Sequence, residues 1–203
     1  TAGLWNIASS NIINVVLLIT AVCWYRQYRD LWNKHFIDEM LFAGIAVAFP
    51  LVLMHFSMDQ SPYTIPLLLF FYFVYRLSDR VFNRAHTEPD AEGEESGSAK
   101  LGLLYIIGSI AIISVAGSFL GTSAEAIVNK MGIPVIFVGW LLGLITSLPE
   151  LTTFFNVYSG AKKKGTIAGT ADTQEVLDNL TGSNMSNVGI IYPIALLTFL
   201  LVS

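Results

Sequence analysis

The chain has 203 residues, 54% of them hydrophobic and only 13% charged, with a formal net charge of −4. Soluble domains carry about a quarter charged residues, so an ordinary water-soluble domain is excluded and an all-α, multi-pass membrane protein is indicated. A single cysteine, Cys23, excludes an intrachain disulfide, no Cys/His grouping suggests zinc, and the basic residues are too dispersed for a nucleic-acid surface.

A helix crossing roughly 30 Å of hydrocarbon needs about 20 mostly apolar residues. In chain order, six segments answer to this: 7–25, 39–57, 63–82, 101–121, 133–158 and 179–203. Loops at 28–35, 59–62, 86–100, 122–132 and 159–178 separate them. The third loop, HTEPDAEGEESGSAK, gathers Glu88, Asp90, Glu92, Glu94 and Glu95 and reads as a flexible linker. It divides the chain into 1–85 and 101–203, each with three spans. Trp24, Tyr25, Trp32, Tyr63 and Tyr75 near span ends fit an interfacial aromatic belt. Glu125 and His55, at outer span ends, read as interfacial residues.

Lys and Arg favour the cytoplasmic side. Strict alternation puts Arg26, Arg29, Lys34, Arg76, Arg80, Arg84, Lys100, Lys162, Lys163 and Lys164 on one side and leaves only Lys130 on the other. The first span then runs outside to inside, the sixth inside to outside, and the acidic linker is cytoplasmic.

Two stretches repeat. NIASSNIINV (6–15) and NLTGSNMSNV (179–188) share Asn6/Asn179, Ser10/Ser183, Asn11/Asn184, Asn14/Asn187 and Val15/Val188. Apolar composition cannot explain the four matched polar residues. The copies are five spans apart, and an odd offset makes them cross in opposite directions. Inverted repeats mark secondary transporters, whose sites lie at the midplane between the repeats.

The fifth span carries ITSLPELTT in its middle. On a 3.6-residue helix, Thr146 and Ser147 share a face with Glu150. Pro149 cannot donate to the Ile145 carbonyl and crowds it, so the helix should bend or open there. Gly139 and Gly143 form a GxxxG, a packing face; Gly143 can also leave backbone oxygen uncovered. In the sixth span Ser183 and Asn187 align at i, i+4, as do Ser10 and Asn14 in the first. Asn11 and Asn184 lie on another face and suit interhelical hydrogen bonding. The ligands gathered in this way are all oxygens, which suit hard cations such as Ca²⁺ and Na⁺. An acid within a span costs about 2.5–3.5 kcal/mol on insertion scales and usually faces a cavity or partner. No nucleophile–base pair or metal triad accompanies Glu150, which argues against an intramembrane enzyme.

GLITSLPEL followed by LTGSNMSN resembles the α-repeat of the cation/Ca²⁺ exchanger superfamily, with G-T-S-L-P-E on one helix and G-S-N-x-x-N on the next. Residues 6–15 resemble the second half of the family's other α-repeat. The resemblance implies a ten-helix inverted-repeat fold of which this chain covers the third to eighth helices, the rest coming from an absent part of the chain or from another chain. It implies a central metal site at Thr146, Ser147, Glu150, Ser183, Asn187, Ser10 and Asn14, with a Gly143 carbonyl. It further implies an antiporter in a plasma or inner membrane, exchanging Ca²⁺ against Na⁺ (or H⁺, in some branches) by alternating access with no organic cofactor. The alternative is a non-transporting membrane scaffold or partner subunit that keeps only part of this fold.

Overall fold

A computed structural model describes residues 2–82, 130–167 and 170–202, with isolated positions between 102 and 126. Among the described residues every regular element is helical. The helices are α1 (Ala2–Trp24), α2 (Ile37–His55), α3 (Thr64–Phe82), α4 (Val135–Thr146), α5 (Leu148–Lys164), α6 (Ala171–Ser186) and α7 (Tyr192–Val202). Two 3-10 turns, Asp30–Trp32 and Lys34–Phe36, link α1 to α2, and a π turn, Asn187–Ile191, joins α6 to α7.

Residues 1–78 and 135–203 form one compact unit, and 79–134 another. In the second, Gly132 takes a positive φ of 64° just before α4. The acidic linker, Glu125 and most of the fourth expected span lie outside the described residues.

Four stretches among the described residues are long and apolar enough to cross a membrane: Leu4–Trp24, Ile37–His55, Ile136–Lys164 and Ala171–Leu201. The third expected span is present as helix α3, but Arg76, Asp79 and Arg80 crowd its last turns.

The expected loop at 159–178 is a correction. α5 runs on to Lys164 and α6 begins at Ala171, leaving only 165–170 between them. Three lysines in the last turn of α5 suit its negative dipole end. Gly165 then stops the helix at φ 74°, with Thr166 N–H closing onto Ala161 O at 3.0 Å. In α6 one side of the polar start is packed, where Thr173 is fully buried and bonded, while Glu175, Asp178 and Asn179 stay exposed. Tyr158 Oη donates to Thr173 Oγ1 at 3.1 Å, and Thr173 donates to Asp30 Oδ2 at 3.0 Å. Polarity alone therefore misplaced both boundaries.

The aromatic expectation also divides. Trp24, Trp32 and Tyr63 are exposed, as a belt requires. Tyr75 is buried against Phe42, with ring centroids 5.1 Å apart, and Tyr25 stacks on Tyr158 at 5.4 Å. Both are packing residues of the helix bundle.

α1 runs through the middle of the first unit. Its first turns share a core cluster with Met185, Val188, Tyr192 and Leu196. Leu18, Ala21 and Val22 near its end meet Val176, Leu177 and Leu180. α1 and α6–α7 are therefore antiparallel. Against α4 and α5 it runs parallel, with Trp5 at Gly139 and Tyr25 at Phe155. Lipid tails are as apolar as Leu, so close packing and interhelical hydrogen bonds must hold such helices together. The GxxxG provides the first. A Cβ on Gly139 would lie 2.7 Å from Trp5 Cβ, and one on Gly143 would lie 2.8 Å from Ser10 N. Gly143→Val should cost about 1–3 kcal/mol by overpacking, read as a lowered thermal unfolding midpoint in detergent. Gly44→Val, where nothing lies within 4 Å of the added Cβ, should leave that midpoint unchanged.

Candidate functional site

The proline does open the helix. α4 ends at Thr146 and Ser147 stands between the two helices at φ −92°, ψ 0°. Its N–H is shared between Gly143 O at 3.1 Å and Leu144 O at 3.3 Å, and the ladder restarts with Leu151 N–H on Ser147 O. Pro149 then falls in the first turn of α5, where a missing N–H costs nothing. The break places Ser147 and Glu150 at the middle of an otherwise apolar crossing.

Three groups of side chains meet around it. Ser147, fully buried, brings its Oγ to Ser10 Oγ at 3.1 Å. Ser183 Oγ donates to Glu150 Oε1 at 2.6 Å. Four asparagines join α1 to α6 and its π turn. Asn14 Nδ2 donates to Asn184 Oδ1 and Asn187 Nδ2 to Asn11 Oδ1, each at 2.9 Å. Asn11 Nδ2 reaches Asn184 O at 3.3 Å, and Asn184 Nδ2 reaches Asn11 O at 3.1 Å. Every bond in this set has a counterpart in which the two like segments exchange roles. Asn11 adds a bond to Ala46 O on α2 at 2.9 Å.

Two of the sequence candidates sit differently. Thr146 is exposed and its hydroxyl turns back to Leu142 O and Gly143 O on its own helix, at 3.0 and 3.1 Å. Gly143 is spent on close approach to Ser9 and Ser10, and its carbonyl already accepts from Thr146 and Ser147. Asn187 starts the π turn, a feature frequent at functional sites. Its side chain turns to Asn11, where Nδ2 donates to Oδ1.

Two oxygens in the cluster, Asn14 Oδ1 and Glu150 Oε2, are buried and accept no hydrogen bond. A buried acceptor left unpaired costs about 1–3 kcal/mol. No group of three His, Cys, Asp or Glu side chains that could hold a metal occurs among the described residues. What the cluster offers is hydroxyl and amide oxygens around one carboxylate, the donor class of hard cations.

The sodium/calcium exchanger protein family matches residues 101–201. The chain belongs to the cation/Ca²⁺ exchanger superfamily. Comparison with curated proteins and with solved structures returns no match. Membership in this exchanger family, together with the four apolar crossings, makes the chain an integral membrane protein whose family transports cations. The matched residues include the broken α4–α5 crossing with Ser147 and Glu150, and the α6 segment with Ser183 and Asn187.

Reading for motifs missed some of the polar packing. Ser9 is buried and bonds Gly139 O at 2.8 Å, but adjacent serines in a helix give no sign which one faces a neighbour. Glu39 was missed as well, although an acidic pair at the edge of an apolar run was a signal that could have found it.

Proposed function

We propose that this chain forms the ion-binding part of an antiporter that exchanges Ca²⁺, or a related cation, against Na⁺ or H⁺ by alternating access. The observation that carries the reading is the pair of donorless buried oxygens, Asn14 Oδ1 and Glu150 Oε2, in a cluster built from two like segments. The like-for-like bonds between Asn11–Asn14 and Asn184–Asn187, on antiparallel helices, support an inverted repeat.

Glu150 supplies the negative charge. Without an ion, Ser183 directs its proton at Glu150 Oε1. When a cation arrives, that hydroxyl turns its lone pairs inward beside Ser10, Ser147 and Asn14. Ca²⁺ and Na⁺ would draw on the same oxygens, so each excludes the other, which is the condition for exchange. Rocking one repeat against the other about the α1–α6 contact would expose the cluster to each side in turn.

Vesicles bearing the protein should accumulate ⁴⁵Ca²⁺ when a Na⁺ or H⁺ gradient is imposed, and should cease when it is collapsed. No uptake under either gradient would sink the proposal. Absence of cation binding in calorimetry, with a defined oligomer in detergent, would point instead to a non-transporting scaffold.

A further inference from the structure

The first unit holds a buried carboxylate remote in sequence from the Glu150 cluster. Glu39 lies in the first turn of α2 and is only 4% exposed. Its Oε1 accepts from Gln174 Nε2 on α6 at 2.7 Å, and its backbone carbonyl accepts from Thr181 Oγ1 at 3.2 Å. The same Gln174 amide donates to Asp178 Oδ1 at 2.7 Å, so both of its N–H bonds are committed to carboxylates. Glu39 Oε2 is buried and accepts no bond. The carboxyl beside it is that of Asp38, on the same helix turn.

A buried carboxylate needs a counter-charge, a metal ion or a proton. Among the described residues Glu39 makes no ion pair. A metal fits poorly. Ca²⁺ takes 6–8 oxygens, no group of three metal-binding acids or histidines occurs among the described residues, and Gln174 presents N–H rather than oxygen. A proton fits. Placed on Oε2, it turns the contact with Asp38 from two repelling acceptors into a donor and an acceptor. The titratable groups facing Glu39 are Asp38 on its own helix and, across Gln174, Asp178 on α6.

We propose that Glu39 and Asp38 form a proton-binding pair at the start of α2, a site separate from the Glu150 cluster. Gln174 and Thr181 tie the pair to α6, the helix that carries Ser183 and Asn184. Loss of the proton leaves an uncompensated charge in the α2–α6 contact. Occupancy of this site therefore bears on how α2 and α6 pack, whatever the Glu150 cluster carries.

Infrared difference spectroscopy between neutral and alkaline pH, on the full chain in lipid nanodiscs, tests this. The native spectrum should show a Glu39 carboxylic-acid C=O band that disappears on alkalinisation. Glu39→Gln should remove that band, and Glu150→Gln should keep it. Asp38→Asn should shift the band's frequency, because the acceptor changes from carboxylate to amide. A band that survives Glu39→Gln overturns the assignment to Glu39. A band at the native frequency in Asp38→Asn overturns the pair, and decides the question alone should Glu39→Gln not fold. Gln should be tolerated at 39, since its oxygen keeps the Gln174 bond and its amide can donate to Asp38.

Discussion

Glu150→Gln should abolish gradient-driven Ca²⁺ uptake in a protein that still folds. The substitution keeps an oxygen for Ser183 Oγ to bond, so the 2.6 Å contact between α5 and α6 survives. It removes the one carboxylate that the described residues place in the cluster and puts an N–H₂ where Oε2 is buried without a donor. A unit charge pair 4 Å apart is worth about 4 kcal/mol at an effective dielectric of about 20, so cation affinity should fall roughly 10³-fold. A divalent ion should suffer more than a monovalent one. Two measurements on the same preparation check this: ⁴⁵Ca²⁺ uptake should drop to the level of empty vesicles, while the thermal unfolding midpoint stays within a degree or two of the native value. Native-rate uptake by the variant would remove Glu150 from the mechanism.

The second large effect is on stability. Asn184→Leu should cost about 2–3 kcal/mol, because it leaves Asn14 Nδ2 and the Asn11 carbonyl without their partners in a buried setting. Asn11→Leu should cost a similar amount, since Asn11 contributes the mirrored bonds and one more to Ala46 O. Each asparagine side chain bonds the other's backbone carbonyl, so no bond is lost in both singles and the double variant should lose close to the sum of the two. Unfolding midpoints of the three variants give the coupling directly. A double-variant loss far below the sum would mean that removing one asparagine already breaks the bonds of the other.

How far the sequence could be followed depended on distance along the chain. Within one helix the spacing of residues settles which side chains share a face, so Ser10 with Asn14 and Ser183 with Asn187 were legible as pairs. The proline break was equally local. The bonds between helices were not. Nothing in the spacing tells that Ser147 meets Ser10 or that Asn187 turns to Asn11. Tyr75 illustrates the same limit, since an aromatic near a span end suits the interface until a neighbour such as Phe42 covers it.

The amino-acid order alone determined the helical membrane architecture, the broken α4–α5 crossing and the superfamily, because apolar run length, a proline's missing N–H and a short motif are all local properties. The tertiary structure decided where α5 and α6 end, which glycine serves packing, which oxygens are left without donors, and that a second acid, Glu39, is buried. Those depend on how helices far apart in sequence cross, and on polar turns that stay helical where one side of them, as at Thr173, packs on a distant segment.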